Sequence, residues 1–105
     1  GAAITYMLGG NFNQIANTII NTLANTSGII CDGAKPSCAA KISSALDAAL
    51  LAHTMSMHDD VFHADEGIVK DDLEKTIRAV GYIGREGMKS TDIEVLNIMI
   101  DKVCP

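Results

Sequence analysis

Cys31 and Cys38, separated by six residues in Ile29-Ile30-Cys31-Asp32-Gly33-Ala34-Lys35-Pro36-Ser37-Cys38-Ala39-Ala40-Lys41, are the residues whose type and spacing point most directly to chemistry. Thiolates are ligands for soft metals and for iron–sulfur clusters. Pro36 suits the first turn of a helix, where its missing N–H leaves no hydrogen bond unmade, and Cys38 then falls in that same turn. There, unpaired amide donors and the positive end of the helix dipole favour a thiolate over a thiol. Gly33 lets the backbone fold back between the two sulfurs without a Cβ penalty, so both can face one bound centre. Two ligands do not complete a site, and the spacing leaves three other readings open. One is a structural zinc site completed by one or two of His53, His58 and His63. Another is a reversible Cys31–Cys38 disulfide, and the last is a non-catalytic helical interaction domain in which the cysteines are merely a loop pair. The histidines recur every five residues, which on one helix spreads them around the axis and makes no ready ligand face.

A chain of 105 residues, 48% of them hydrophobic, is expected to form one domain around a single core. Its formal net charge of -5 and the absence of any Lys/Arg run argue against a nucleic-acid surface. Three cysteines are an odd count for a disulfide framework, so an intracellular, reducing setting, by default the cytoplasm, is expected. The first charged residue is Asp32, yet Asn11, Asn13, Gln14, Asn17, Asn21 and Asn25 interrupt the stretch before it, so no membrane span is expected. An uncharged N-terminal third instead predicts helices that meet protein on more than one face. With no initiator methionine, the chain reads as the C-terminal piece of a larger enzyme, able to self-associate when alone.

The elements that must position the cysteines are all helical. Ala2 to Leu8 can form one or two turns ended by Gly9-Gly10. Phe12, Ile15, Ala16, Ile19, Ile20 and Leu23 recur at helical spacing, with Asn17, Asn21, Asn25, Thr18 and Thr22 on what reads as an opposite, polar face, and Gly28 as a stop. A second helix should run from about Ser37 to about Met57, apolar on most sides and therefore central and buried. Asp59 to Gly67 reads as a connection, and Asp71-Asp72-Leu73-Glu74 as the start of the next helix. Gly81, Gly84 and Gly87 read as helix termination and tight packing, because no preceding strand supports a phosphate loop. Thr91-Asp92-Ile93-Glu94 has the pattern of a capping box opening a last helix, with Cys104 near the end. The fold class is all-α, a compact bundle of about four to five helices with the cysteine loop leading into the central one.

The run Gly28 to Lys41 resembles the signature of the L-cysteine desulfidase family, relatives of the iron–sulfur L-serine dehydratases. A second match lies in Glu66-Gly67-Ile68, in Arg78, and in Ile83-Gly84-Arg85-Glu86-Gly87-Met88 with Thr91-Asp92. The resemblance implies a 4Fe-4S lyase that releases ammonia, and hydrogen sulfide or water, from a small amino acid to give pyruvate. Cys31 and Cys38 match two of three cluster ligands; the third, and the catalytic base region, lie upstream in the family, so the chain alone is expected to be inactive. The serine dehydratases proper have a longer gap between the matching cysteines, which leans this chain towards the desulfidase branch. Asp32, Gly33 and Lys41 are then expected to stand behind the ligands, Asp32 anchoring the loop and Lys41 balancing an anionic cluster or substrate, unless it is simply solvated. The partners implied are a small amino-acid substrate and the N-terminal region of the same enzyme, with a homo-oligomer allowed; neither nucleic acid nor membrane is among them.

Overall fold

A computed structural model describes residues 1–103, in which every regular element is helical and no strand occurs. The all-α expectation therefore holds, as four helical rods. The first is α1 (Ala2–Met7) and the second α2 (Phe12–Thr26). The third is α3 (Pro36–Met57), and the last joins α4 (Leu73–Tyr82), a π-helical segment (Ile83–Gly87) and α5 (Met88–Met99) without a break. Cys104 lies outside the described residues.

Local chemistry sets the boundaries. Gly9 turns the chain at φ +86°, and its N–H donates to Tyr6 O while that of Gly10 donates to Thr5 O, which satisfies the last carbonyls of α1. At Gly10 only glycine fits, because a Cβ there would lie 2.5 Å from Thr5 Cγ2 and 2.7 Å from Thr5 O. Next, Asn11 and Gln14 form a reciprocal capping box that opens α2. Pro36 stands at the first position of α3, as its fixed φ favours, and Asp72 caps α4 by accepting from Lys75 N–H.

The interior differs from the sequence expectation in its polarity. Thr18 and Asn21 of α2 are fully buried and Asn17 and Thr22 half-buried, so this part of the Asn/Thr face points inward, while Asn25 is exposed. Asn21 holds the segment after α3: its amide donates to Asp60 O at 3.0 Å and weakly to Ser56 Oγ, and its Oδ1 accepts from Phe62 N–H at 3.0 Å. Thr18 Oγ1 lies 2.9 Å from Gln14 O and 2.8 Å from Thr5 Oγ1, which is also 3.1 Å from Gly1 O. Thr5 Oγ1 also meets His53 Nδ1 at 2.8 Å, which ties α1 to α3. Apolar burial is modest: Ile20, Ala48, Ala52 and Val69, the last only 1% exposed in a stretch with no helical pattern.

Three expectations need correction. First, α3 is not buried on most sides: Ala48, Ala52 and Ser56 face α2, whereas Ile42 (72% exposed), Leu46, Leu50 and Leu51 are uncovered. The chain offers α3 neighbours, α1 and α2, over only part of its surface. For the same reason the described body is not compact but elongated, 51 × 27 × 17 Å, with α5 packed on no other helix. Second, Thr91 to Glu94 do not cap a helix start. The rod runs straight through them, the amides are already bonded within the helix, and Thr91 Oγ1 donates back to Gly87 O. Third, Gly81, Gly84 and Gly87 neither end the helix nor pack tightly, since a Cβ at Gly81 or Gly84 would meet open space.

Candidate functional site

Cys31 lies within the irregular stretch between α2 and α3, and Cys38 sits in the first turn of α3, its N–H bonded to Lys35 O. The loop between them turns through two successive left-handed residues, Gly33 at φ +89° and Ala34 at φ +53°. This reversal brings the two sulfurs to 3.6 Å of each other, both as free thiols. The backbone of Ala34 and then of Gly33, with smaller help from Cys38 and Lys41, lowers the Cys31 pKa. The loop thus favours a thiolate at Cys31, an effect the sequence did not indicate.

Asp32 is the hub of the loop. Its carboxylate accepts from Lys41 Nζ at 2.8 Å, from Ser37 Oγ at 2.9 and 3.1 Å to its two oxygens, and from the Cys38 thiol at 3.4 Å. Lys41 first, then Ser37, hold the Asp32 carboxyl well below the usual carboxylate range, and Asp32 raises the Lys41 pKa in return. Both side chains keep substantial contact with water, so the pair orients the loop more than it stabilises the fold. Lys41 is neither simply solvated nor free: its charge is committed to Asp32, and it joins the loop anchoring expected of Asp32. Ser37 was missed by sequence reasoning; its position five residues after an aspartate at a helix start was the available signal.

Beside the sulfurs lies an open hollow of about 270 Å³ lined by Ile29, Cys31, Cys38, Lys41, Ile42 and Ala45. Larger hollows exist, such as one of about 490 Å³ between the N-terminal ends of α2 and α4, but its lining includes no thiol or imidazole. The histidines lie elsewhere. His53 is tied to Thr5, His58 Nδ1 bonds with Thr54 O, and the His63 N–H donates to Glu66. Among the described residues no three His, Cys, Asp or Glu side chains converge on a common point, so the described histidines do not complete a zinc site with Cys31 and Cys38. The segment Ile83–Gly87 is π-helical and mostly exposed, with Glu86 paired to Arg85 and Lys89 and the Arg85 guanidinium over the Tyr82 ring. One residue of the rod does reach the loop: Met99 stands against Gly33.

The donor set fits an iron–sulfur cluster in kind. Two adjacent soft sulfurs, one with its thiolate favoured by backbone amides, can face one centre, while further ligands must come from outside the described residues. No described helix is long and apolar enough to cross a membrane.

Residues 1–97 match a protein family described as the serine dehydratase alpha chain. Among individual relatives, the chain is 56% identical over 99 residues to a UPF0597 protein of Treponema denticola, covering 94% of this chain and 23% of that protein. It is 55% identical over 101 residues to a UPF0597 protein of Lachnoclostridium phytofermentans, covering 96% of this chain and 24% of that one. A UPF0597 protein of Parabacteroides distasonis is 48% identical over 102 residues, 97% of this chain and 24% of that protein. The chain therefore spans about a quarter of the length of these relatives. No solved structure matches it.

Proposed function

Because the chain belongs to the serine dehydratase alpha chain family, we propose that it is the part of an amino-acid lyase that presents Cys31 and Cys38 to a 4Fe-4S cluster. The reaction is β-elimination from L-cysteine or L-serine. Loss of the α-proton and of hydrogen sulfide or water leaves an aminoacrylate, and its hydrolysis gives pyruvate and ammonia. The observation that carries this reading is the 3.6 Å pairing of two free thiols by a loop whose own amides favour the Cys31 thiolate.

When bound, the cluster supplies a Lewis-acidic iron for the substrate's leaving group or carboxylate. The chain's own residues do the holding and orienting. Asp32 fixes Ser37 and Lys41 on one side of the loop, which keeps Cys38 in the first turn of α3 and Cys31 opposite it. The hollow beside the sulfurs is the space the cluster itself would fill, so the choice of substrate rests on the six-residue gap between the cysteines, which leans towards the desulfidase branch. L-Cysteine is accordingly the preferred substrate. A third cysteine ligand and the catalytic base are assigned to the preceding region of the longer protein, and the isolated chain is assigned no turnover.

A second reading, a helical interaction domain, is favoured by the uncovered apolar side of α3. Anaerobic iron and sulfide reconstitution of the full-length gene product separates the two. The lyase reading expects a brown protein with charge-transfer absorbance, lost in Cys31→Ser and in Cys38→Ser, and sulfide release from L-cysteine exceeding ammonia release from L-serine. A colourless protein with both thiols reduced would overturn it in favour of the interaction domain.

A further inference from the structure

We propose that Met99 is a positioning residue for the cysteine loop, seated on the side of Gly33 that has no Cβ. A Cβ built at Gly33 would lie 3.3 Å from Met99 Cε and 3.6 Å from its Sδ, so the Met99 thioether lies against the face of Gly33 from which a side chain would project. Gly33 and Ala34 are the two left-handed residues that reverse the chain and set the Cys31 sulfur 3.6 Å from that of Cys38. Support from outside the loop is what keeps such a reversal in one conformation. Met99 sits in the last turn of α5, which packs on no other helix, so this contact ties the far end of the rod to the site. An unbranched, polarisable side chain suits the task, because it conforms to a bare backbone surface that a β-branched residue would strike.

The inference deepens the cluster reading and rests on it only in treating the loop as a ligand loop. Its test uses the full-length protein with Met99→Ala and Met99→Leu, read in two ways. Peptide-resolved alkylation by iodoacetamide is timed on the reduced, metal-free protein, and the visible absorbance and its bleaching by oxygen are followed after anaerobic reconstitution. Freed from Met99, the loop samples open forms, so Met99→Ala is expected to raise the Cys31 alkylation rate by about threefold or more, timed at a pH where Cys31 is ionised in every variant so that the rate reports access alone, and to speed bleaching at unchanged helix content. Met99→Leu, which restores the apolar contact without sulfur, is expected to return both towards wild type. Should Met99→Ala lower helix content, Met99→Gln, of similar length without the apolar tip, takes its place with the same expectation. Equal alkylation in wild type and the Ala or Gln variant overturns the proposal, as does a Leu variant that fails to rescue. Should wild type take up no iron while alkylation still responds, the cluster reading falls and the role of Met99 stands. Iron uptake without any response removes Met99 alone.

Discussion

Cys31 differs from an ordinary surface thiol because the Ala34 and Gly33 amides, more than any charged group, favour its ionised form. The sign follows directly. A depressed pKa means that the folded chain prefers the thiolate, so the stabilisation is present above the ordinary thiol value and is lost as pH falls through the lowered one. Alkylation of Cys31 against pH is therefore expected to show a midpoint below that of the same residue in urea-unfolded chain, with the two curves merging when the loop is destroyed by Ala34→Pro, whose ring cannot adopt φ +53°. Identical midpoints in folded and unfolded protein would sink the amide account. Much of this site was legible beforehand, since a cysteine pair around Gly33 and a proline at a helix start predict the turn and the placement of Cys38. What was not legible was which cysteine gains: amide direction depends on the φ of Gly33 and Ala34, and an alanine gives no sign in sequence that it is left-handed. Nor did Lys41 show that Asp32 would claim it, because a contact nine residues apart exists only once the loop has folded back.

At the scale of elements, the helices were readable because caps and glycines act locally, whereas the direction each face points is set by partners elsewhere in the chain. Asn21 and Thr18 illustrate the difference: Asn/Thr at helical spacing looks like a solvated face, yet α3 approaches on that side and its alanines leave room for polar side chains. Asn21→Ala removes the partner of Phe62 N–H and Asp60 O at a buried position, and is expected to destabilise by about 1–3 kcal/mol, read as a lower urea midpoint. A change within ±0.5 kcal/mol, typical of surface positions, would mean that the 60–62 segment is not held there. The rod offers the opposite case. Gly81 lies within α4 with open space where its Cβ would be, so Gly81→Ala is expected to stabilise by about 0.5–1 kcal/mol through helix propensity, seen as a raised thermal midpoint. Destabilisation instead would reveal a surface that approaches Gly81 closely in the protein tested.

The whole molecule carries more apolar surface than its own folding covers. Its radius of gyration is 15.9 Å, against about 13 Å for a compact chain of 100 residues, and Phe12, Ile42, Leu46 and Leu96 stand more than half exposed. Patches of this kind mark interfaces. We assign the α3 side, Ile42, Leu46 and Leu50, to the remainder of the longer polypeptide, since the chain spans about a quarter of its relatives and α3 leads directly from the cysteine loop. Two expectations follow from that one assignment. Alone, the 105-residue chain should self-associate through the uncovered stripe, with a sedimentation coefficient that rises with concentration and falls back in the double variant Ile42→Lys, Leu46→Lys. Within the full-length protein the same substitutions should bury unpaired charges, lowering the thermal midpoint and the yield of folded protein instead of improving its dispersion. A concentration-independent monomer of the isolated chain, together with a full-length double variant as stable as wild type, would show that the stripe meets water in both, and the cysteine loop would then have to be completed by a partner that leaves α3 uncovered.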